Sequence, residues 1–375
     1  MESESPDSTA GPVHQGPTSD GAGTGWVDQR DAAAAIATLV AKIGEQQATI
    51  AASDKTHLDG RIDRGQHQKQ LLGAFGTLRL FDTIPDVLRQ GPFALPDSAA
   101  APVAYRVACR ISNGQPCPFS DRAPDVRGVA LKFFTTQGVE TDLLMTNEGG
   151  RSHARNAVQF MDFADVIVAQ IAKGATGALE QLSRDVLDGK LGLVESARIL
   201  GILAKETTLH TVNSLATEQY WGSVVRLGDV AFKYTLQPHD ATAQGTQADR
   251  ESDNYLREDI VSRLHDGPVR WQLCVALFVD ETTTPVQDAS VAWMGPLVPV
   301  GELEIVAPPS AGDEAVINQM AFNPAHGFES LGITHARGDV YAASAANRKD
   351  RGVLSSDEAR RFLQARCDNT LEHDE

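Results

Sequence analysis

Near the C-terminus the run "ARGDVYAASAANR", residues 336–348, sets Arg337, Tyr341, Ser344 and Arg348 at intervals of four, three and four. At about 100° per residue, a helix brings all four into a sector of roughly 60°. One explanation is ordinary: a half-buried tyrosine with a surface cation beside it, on a helix whose polar side meets solvent. That helix then offers the core little but alanine. The other explanation is chemical. A free tyrosine keeps its proton up to a pKa of about 10, so Tyr341 can serve as an anionic ligand for iron at neutral pH only with positive charge close by. The metal and Arg337, one turn away, supply that charge.

Other side chains able to move protons or bind metal are scattered. Taken alone, His67 in "RGQHQK" reads as a solvated residue among polar neighbours, and Asn147 in "TNEGG" as a turn residue. Cys109, Cys117, Cys274 and Cys367 form no C-x-x-C pair and have no histidine at zinc spacing. Reduced, mostly buried thiols are therefore expected, with neither a disulfide framework nor a structural metal.

The totals exclude some functions. A chain of 375 residues with 42% hydrophobic composition sustains its own core. Its net charge of -17 repels phosphate backbones, and no basic stripe with interleaved aromatics offsets that charge, so nucleic-acid binding is not expected. No run approaches the roughly 18 apolar residues of a membrane span. The start "MESESPDSTAGP" is acidic where a secretory signal is basic and then apolar. A cytoplasmic location is the expectation.

The elements that must position these residues follow from pattern. Residues 1–28 carry almost no large apolar side chains, the composition of a disordered acidic tail. From Arg30, "RDAAAAIATLVAKIGEQQATIAAS" has helical spacing and is expected to lie across the body or a partner subunit. The runs "VAYRVACRIS", "GVALKFFTT", "DVAFKYTLQP" and "VRWQLCVALFVD" read as strands. Helical stretches, "ADVIVAQIAKGATGALEQLSRDVLDG" and "LVESARILGILAKE", lie among them, and "SSDEARRFLQARC" opens with a capping box from Ser355 to Glu358. Strands and helices do not alternate strictly, which favours a mainly antiparallel sheet or barrel with inserted helices over a doubly wound sheet.

Several blocks together resemble the catalase-like haem proteins in their short form, a group related to catalase-related peroxidases and to allene oxide synthase-type enzymes. They are "RGQHQK", "RISNG", "DRAPDVRGVALKFF", "TNEGGRSHARNAVQFMDF", "QYWGSVVRLGDVAFKY", "DASVAW", "FNPAH" and the opening stripe, spread from about residue 60 to 350. The resemblance implies an α+β fold, an antiparallel β-barrel with surrounding helices and buried haem b, in a single domain over residues 29–375. It implies that Tyr341 is the proximal iron ligand, as in catalase, and that Arg337 holds it as phenolate. Arg64, Arg110 and Arg348 match the arginines that pair with the haem propionates, and Phe160 the aromatic packed on the porphyrin. His67 matches the catalytic histidine, Asn147 the distal asparagine, and Ser112 the residue bonded to the histidine's other nitrogen. A neutral imidazole there relays a proton from one peroxide oxygen to the other.

The chain departs from the pattern on the distal side. Gln66 replaces a small or apolar residue before the histidine, and the segment from His67 to "GAFG" is one residue longer than in typical catalases. The stretch "EGGRSHAR" substitutes small and polar residues for the apolar ones that narrow the channel, and Ala325 in "FNPAH" stands where short relatives often carry tryptophan. Three functions follow from the resemblance. The first is a haem oxidoreductase of catalase or peroxidase type acting on hydrogen peroxide or an organic hydroperoxide, which either disproportionates hydrogen peroxide or uses peroxide to oxidise an organic donor. The second is a lyase or isomerase acting on an organic hydroperoxide, and the third a non-catalytic haem-binding protein. A homo-oligomer is the expected assembly.

Overall fold

The computed structural model describes residues 15–20, 27–31, 33–56, 58–96, 102–190, 192–198, 201, 212–239, 248–331 and 335–368. Strands β1 (Gln15–Asp20) and β2 (Val27–Asp31) form a two-stranded sheet of their own, within the stretch where composition led us to expect a tail. Residues 1–14 and 21–26 of that stretch lie outside the described residues, as does most of the "GILAKE" end of the second helical run.

Helix α1 (Ala33–Ala52) precedes four strands, β3 (Gln70–Leu80), β4 (Ala104–Asn113), β5 (Arg127–Phe134) and β6 (Glu140–Thr146). Two helices follow, α2 (Ala157–Lys173) and α3 (Ala175–Leu187), then β7 (Tyr220–Leu227), β8 (Val230–Pro238), α4 (Tyr255–Asp266), β9 (Val269–Leu277) and β10 (Leu297–Ile305). The described chain ends with α5 (Ala311–Gln319), the short β11 (Glu329–Ser330), α6 (His335–Asn347) and α7 (Ser356–Asp368). Strands β3 to β10 pair antiparallel in chain order, and β10 pairs back onto β3. The result is a closed eight-stranded barrel, which removes the sheet edges that an open sheet must protect.

Alternation along the strands separates the barrel interior from its outer wall. Val107, Cys109 and Ile111 of β4 join Val129, Leu131 and Phe133 of β5 and Leu143 and Met145 of β6 in the main core. Arg110, Ser112, Gly128 and Thr146 fall at the intervening positions and face outward. Helices cover that wall, so both faces of these strands are buried and their sequences read as nearly continuous apolar runs. Leu39 and Ile43 of α1, Met161 of α2 and Ala336 and Val340 of α6 make a second core above the wall. The N-terminal helix thus lies across the body.

Of the barrel strands, β4, β5, β8 and β9 coincide with the runs read from sequence. The others carry residues that disguise them: Gly73 and Gly76 interrupt β3, and Pro299 and Gly301 interrupt β10 at a bulge. The long helical run at 164–189 is two helices, broken at Gly174, whose φ is 73°. The Ser355 capping box forms, with Ser355 N donating to Glu358 Oε2 at 2.8 Å and Glu358 N to Ser355 Oγ at 3.3 Å. Cys109, Cys117 and Cys274 are free and buried, and the side chain of Cys367 lies outside the described residues. Among the described residues no helix is long and apolar enough to cross a membrane.

Candidate active site

A cavity of about 300 Å³ lies between the outer wall of the barrel and the helices α1, α2 and α6. All four residues of the C-terminal stripe, Arg337, Tyr341, Ser344 and Arg348, line it. The polar side of α6 therefore meets an internal cavity instead of bulk solvent. Two glutamines on α1 fix the helices around it: Gln47 Nε2 donates to Ser344 Oγ at 3.1 Å and receives Asn347 Nδ2 on its Oε1 at 2.9 Å, while Gln46 donates to the Met161 carbonyl of α2 at 3.1 Å.

His67 stands on the barrel side of the cavity. It precedes β3 with a φ of 56°, uncommon for a residue with a Cβ. Its N–H donates to the Gly114 carbonyl at 2.9 Å, and its own carbonyl accepts from Arg110 Nη2 at 2.9 Å. Ser112 Oγ lies 3.2 Å from His67 Nδ1. The ring rests on Gly128 of β5, where a Cβ would come within 2.6 Å of His67 Cε1. Burial, and then the positive charge of Arg110, push the imidazole down to about 4, so at neutral pH it is uncharged.

Arg64, Arg110 and Arg348 gather at one end of the cavity. The Arg64 guanidinium donates to the Asn318 and Met320 carbonyls at 2.7 and 3.2 Å and stands 3.9 Å from Asp63, which accepts from the Arg64 N–H at 2.7 Å and from Arg351 at 2.8 Å. Burial depresses all three guanidinium pKa values, Arg110 to about 9, and repulsion from Arg348 adds to the effect on the other two. Arg110 and Arg348 each keep a buried Nε without a hydrogen-bond partner. Arg64, Arg110 and Arg348, with Arg351 behind them, share one carboxylate and leave two Nε donors over, which matches a ligand carrying two carboxylates. The propionate end of haem is such a ligand, so the residues fit that group.

Tyr341 is half-buried in the helix wall. Arg337 reaches into the cavity: its Nη1 donates to Ser223 Oγ at 2.7 Å and its guanidinium stacks on Phe160, 5.1 Å from the ring centre. Ser223 is available because β7 bulges between Trp221 and Val224 and turns its side chain out of the ladder. Asn323 Nδ2 donates to the Gly338 carbonyl at 3.0 Å and so ties α6 to the "FNPAH" loop. That loop is pinned to β6, with His326 Nδ1 2.8 Å from Asp142 Oδ2. Bonding to Asp142 and Glu140 raises His326 to about 9. These three groups are close enough to share a metal ion, but the Lys132 ammonium already bridges the two carboxylates, 2.7 Å from Asp142 Oδ1. The cluster is an ion-pair network that seats the loop.

Asn147 is the one predicted site residue not brought into the cavity wall. Its Oδ1 accepts from the Arg127 N–H at 2.8 Å and its Nδ2 donates to Glu218 Oε2 at 2.9 Å. The next residue, Glu148, lines the cavity instead, together with Gln66, Thr146, Arg151, His153 and Lys233. Reading by type and spacing missed Glu148 and Lys233. The signal for Glu148 was its place at the head of the polar stretch "EGGRSHAR" beside the channel.

No family model matches the chain. Over 256 residues, 65% of this chain and 79% of the relative, it is 27% identical to the catalase-related peroxidase of Mycolicibacterium paratuberculosis. In structure it is similar to catalase A from Saccharomyces cerevisiae, with a TM-score of 0.56 and 18% identity over 80% of this chain. A fungal catalase gives 0.55 and 19% over the same share. The chain spans about three fifths of each catalase, 61% and 59% of their lengths. The barrel with its surrounding helices is the catalase fold.

Proposed function

We propose that this catalase-like chain is a haem-dependent oxidoreductase that activates hydrogen peroxide or an organic hydroperoxide. The observation that carries the proposal is the convergence on one cavity of a neutral histidine, a tyrosine on a facing helix and three arginines, two of which keep a buried Nε without a partner. Haem b is the expected cofactor, with Tyr341 as its iron ligand, Arg64, Arg110 and Arg348 on its propionates and Phe160 against its face. Bound there, it supplies the two-electron reduction that breaks the O–O bond.

The chain's own residues manage position and protons. With His67 Nδ1 donating to Ser112 Oγ, Nε2 keeps its lone pair for the peroxide proton. The imidazole then returns that proton to the departing oxygen, which leaves as water or an alcohol. Burial keeps the ring neutral, in the state that accepts. Arg337, one turn before Tyr341 on α6, is the cation assigned to that ligand, and Asn147 serves the distal side through the segment it anchors. Peroxide consumption in the haem-loaded protein is the test. His67→Ala should lower it by about 10²-fold or more, and an unchanged rate would remove His67 from the mechanism.

One observation favours a second reading, rearrangement of an organic hydroperoxide by a lyase or isomerase. Glu148, Gly150, Arg151, Ser152 and His153 all line the cavity, so small and polar groups form much of one wall and leave room for a larger substrate. A panel of lipid hydroperoxides separates the readings: rearranged products without consumption of a reducing donor would establish the second. A cytoplasmic homo-oligomer, with residues 29–375 as one domain behind an acidic tail, completes the proposal.

A further inference from the structure

Among the described residues two carboxylates, Asp125 and Glu148, line the cavity. Asp125 is engaged by the Gly114 and Gln115 N–H groups at 2.9 and 3.2 Å and by Arg127 at 3.2 Å. Glu148 accepts from Thr146 Oγ1 at 3.0 Å and stands 3.2 Å from His153 Nδ1. A carboxylate has about four lone-pair positions, so roughly half of those on Glu148 remain for a ligand. The residue is nonetheless buried, 8% exposed.

The segment holding Glu148 is fixed on both sides. His153 packs between Phe160 and Phe163, with ring centres 5.3 and 5.4 Å away. Lys233 Nζ donates to the Gly150 carbonyl at 3.0 Å, and Gly150 lies so close on Trp221 that a Cβ would meet the indole at 3.2 Å. Meanwhile Asn147, matched to the distal asparagine, accepts from the Arg127 N–H on its oxygen and donates its nitrogen to Glu218.

We infer that Glu148 is a second catalytic base beside His67, accepting a peroxide O–H where an asparagine would donate to the peroxide. Hydrogen peroxide has two O–H donors, and the His67 imidazole and the Glu148 carboxylate are both among the acceptors of the wall. In the step itself a peroxide O–H bond breaks, its electron pair stays on oxygen, and the proton bonds to a Glu148 oxygen. Nothing is oxidised or reduced in that transfer. The proton goes back to the departing oxygen as it leaves as water. Thr146 and His153 act as positioning residues. Charge supports the assignment: burial pushes the Glu148 carboxyl up, but the His153 and Thr146 bonds and the Arg337 charge outweigh it and hold the group below its usual range. Glu148 is thus an anion at neutral pH.

The inference rests on the haem reading, and cyanide tests it without turnover. Hydrogen cyanide must lose its proton to bind ferric haem as an anion, so a base in the cavity favours binding. In the haem-loaded protein at neutral pH, titrated by absorption, Glu148→Gln should weaken cyanide binding by about tenfold or more. Glu148→Asp should restore most of it. His153→Phe, which suits a site already flanked by two phenylalanines, should give a smaller loss of the same sign. Cyanide affinity unchanged in both Glu148→Gln and His153→Phe, with haem bound as in the unsubstituted chain, overturns the inference and leaves the haem reading standing. Failure of the unsubstituted chain to take up haem overturns both.

Discussion

The imidazole of His67 is seated directly on Gly128, where a Cβ would stand 2.6 Å from Cε1 and 2.7 Å from Nδ1. Because the ring also meets Ser112, two barrel strands define its plane. Gly128→Ala should therefore displace the ring from the cavity wall while leaving the strand intact. A misplacement of ~1 Å costs about 10²-fold in rate, and overpacking costs about 1–3 kcal/mol in stability. Steady-state peroxide consumption and thermal melting of the same variant measure the two effects.

The pH profile should carry the signature of a buried imidazole. In the proposed mechanism neutral His67 is the active form, and its pKa is pushed down from 6.5 to about 4 by burial, then by Arg110, with Arg64 adding to the same direction and Glu148 opposing it. Activity should thus persist as pH falls through 6.5 and be lost only near 4. In Arg110→Met one depressing charge is gone, so the acid limb should move upward. An unshifted limb would mean that another group controls it.

The three arginines make opposite predictions for the apoprotein and the loaded protein. Arg348 is 5% exposed and shares the Asp63 charge with Arg64, Arg110 and Arg351. Exchanging an under-compensated buried charge for an apolar side chain stabilises by about 1 kcal/mol or more. Arg348→Leu should accordingly raise the apoprotein melting temperature by ~2 °C and weaken haem retention by about tenfold. Calorimetry without haem and transfer of haem to an acceptor protein read the two signs separately.

Asn147 should behave as an anchor of the segment. Removing its amide in Asn147→Ala leaves the Arg127 N–H and the Glu218 carboxylate without these partners, a cost of about 1–3 kcal/mol for a buried group. Chemical denaturation of the variant should show that loss.

What could be read from the sequence was what is local. The stripe on α6 was legible because helical periodicity depends only on neighbours along the chain, and the β-branched runs of β4, β5, β8 and β9 announced themselves in the same way. The blocks carrying the catalase resemblance added the rest of the barrel. The Gly128 seat of His67 was not legible, because it joins residues 61 positions apart through strand packing. Nor was the rotation of Asn147 out of the wall, which depends on Glu218, a partner 71 residues away. The resemblance placed Glu148 in the polar stretch beside the channel, but its bonding to Thr146 and His153 was not legible, because that depends on how the segment after β6 folds back.

Haem titration of the purified protein, with Tyr341→Phe beside it, tests the central claim most directly. Absorption should show saturable uptake at one haem per chain, with a high-spin ferric spectrum that is lost or clearly altered in the variant. A chain that takes up no haem, or a variant whose spectrum matches the unsubstituted protein, would contradict the account.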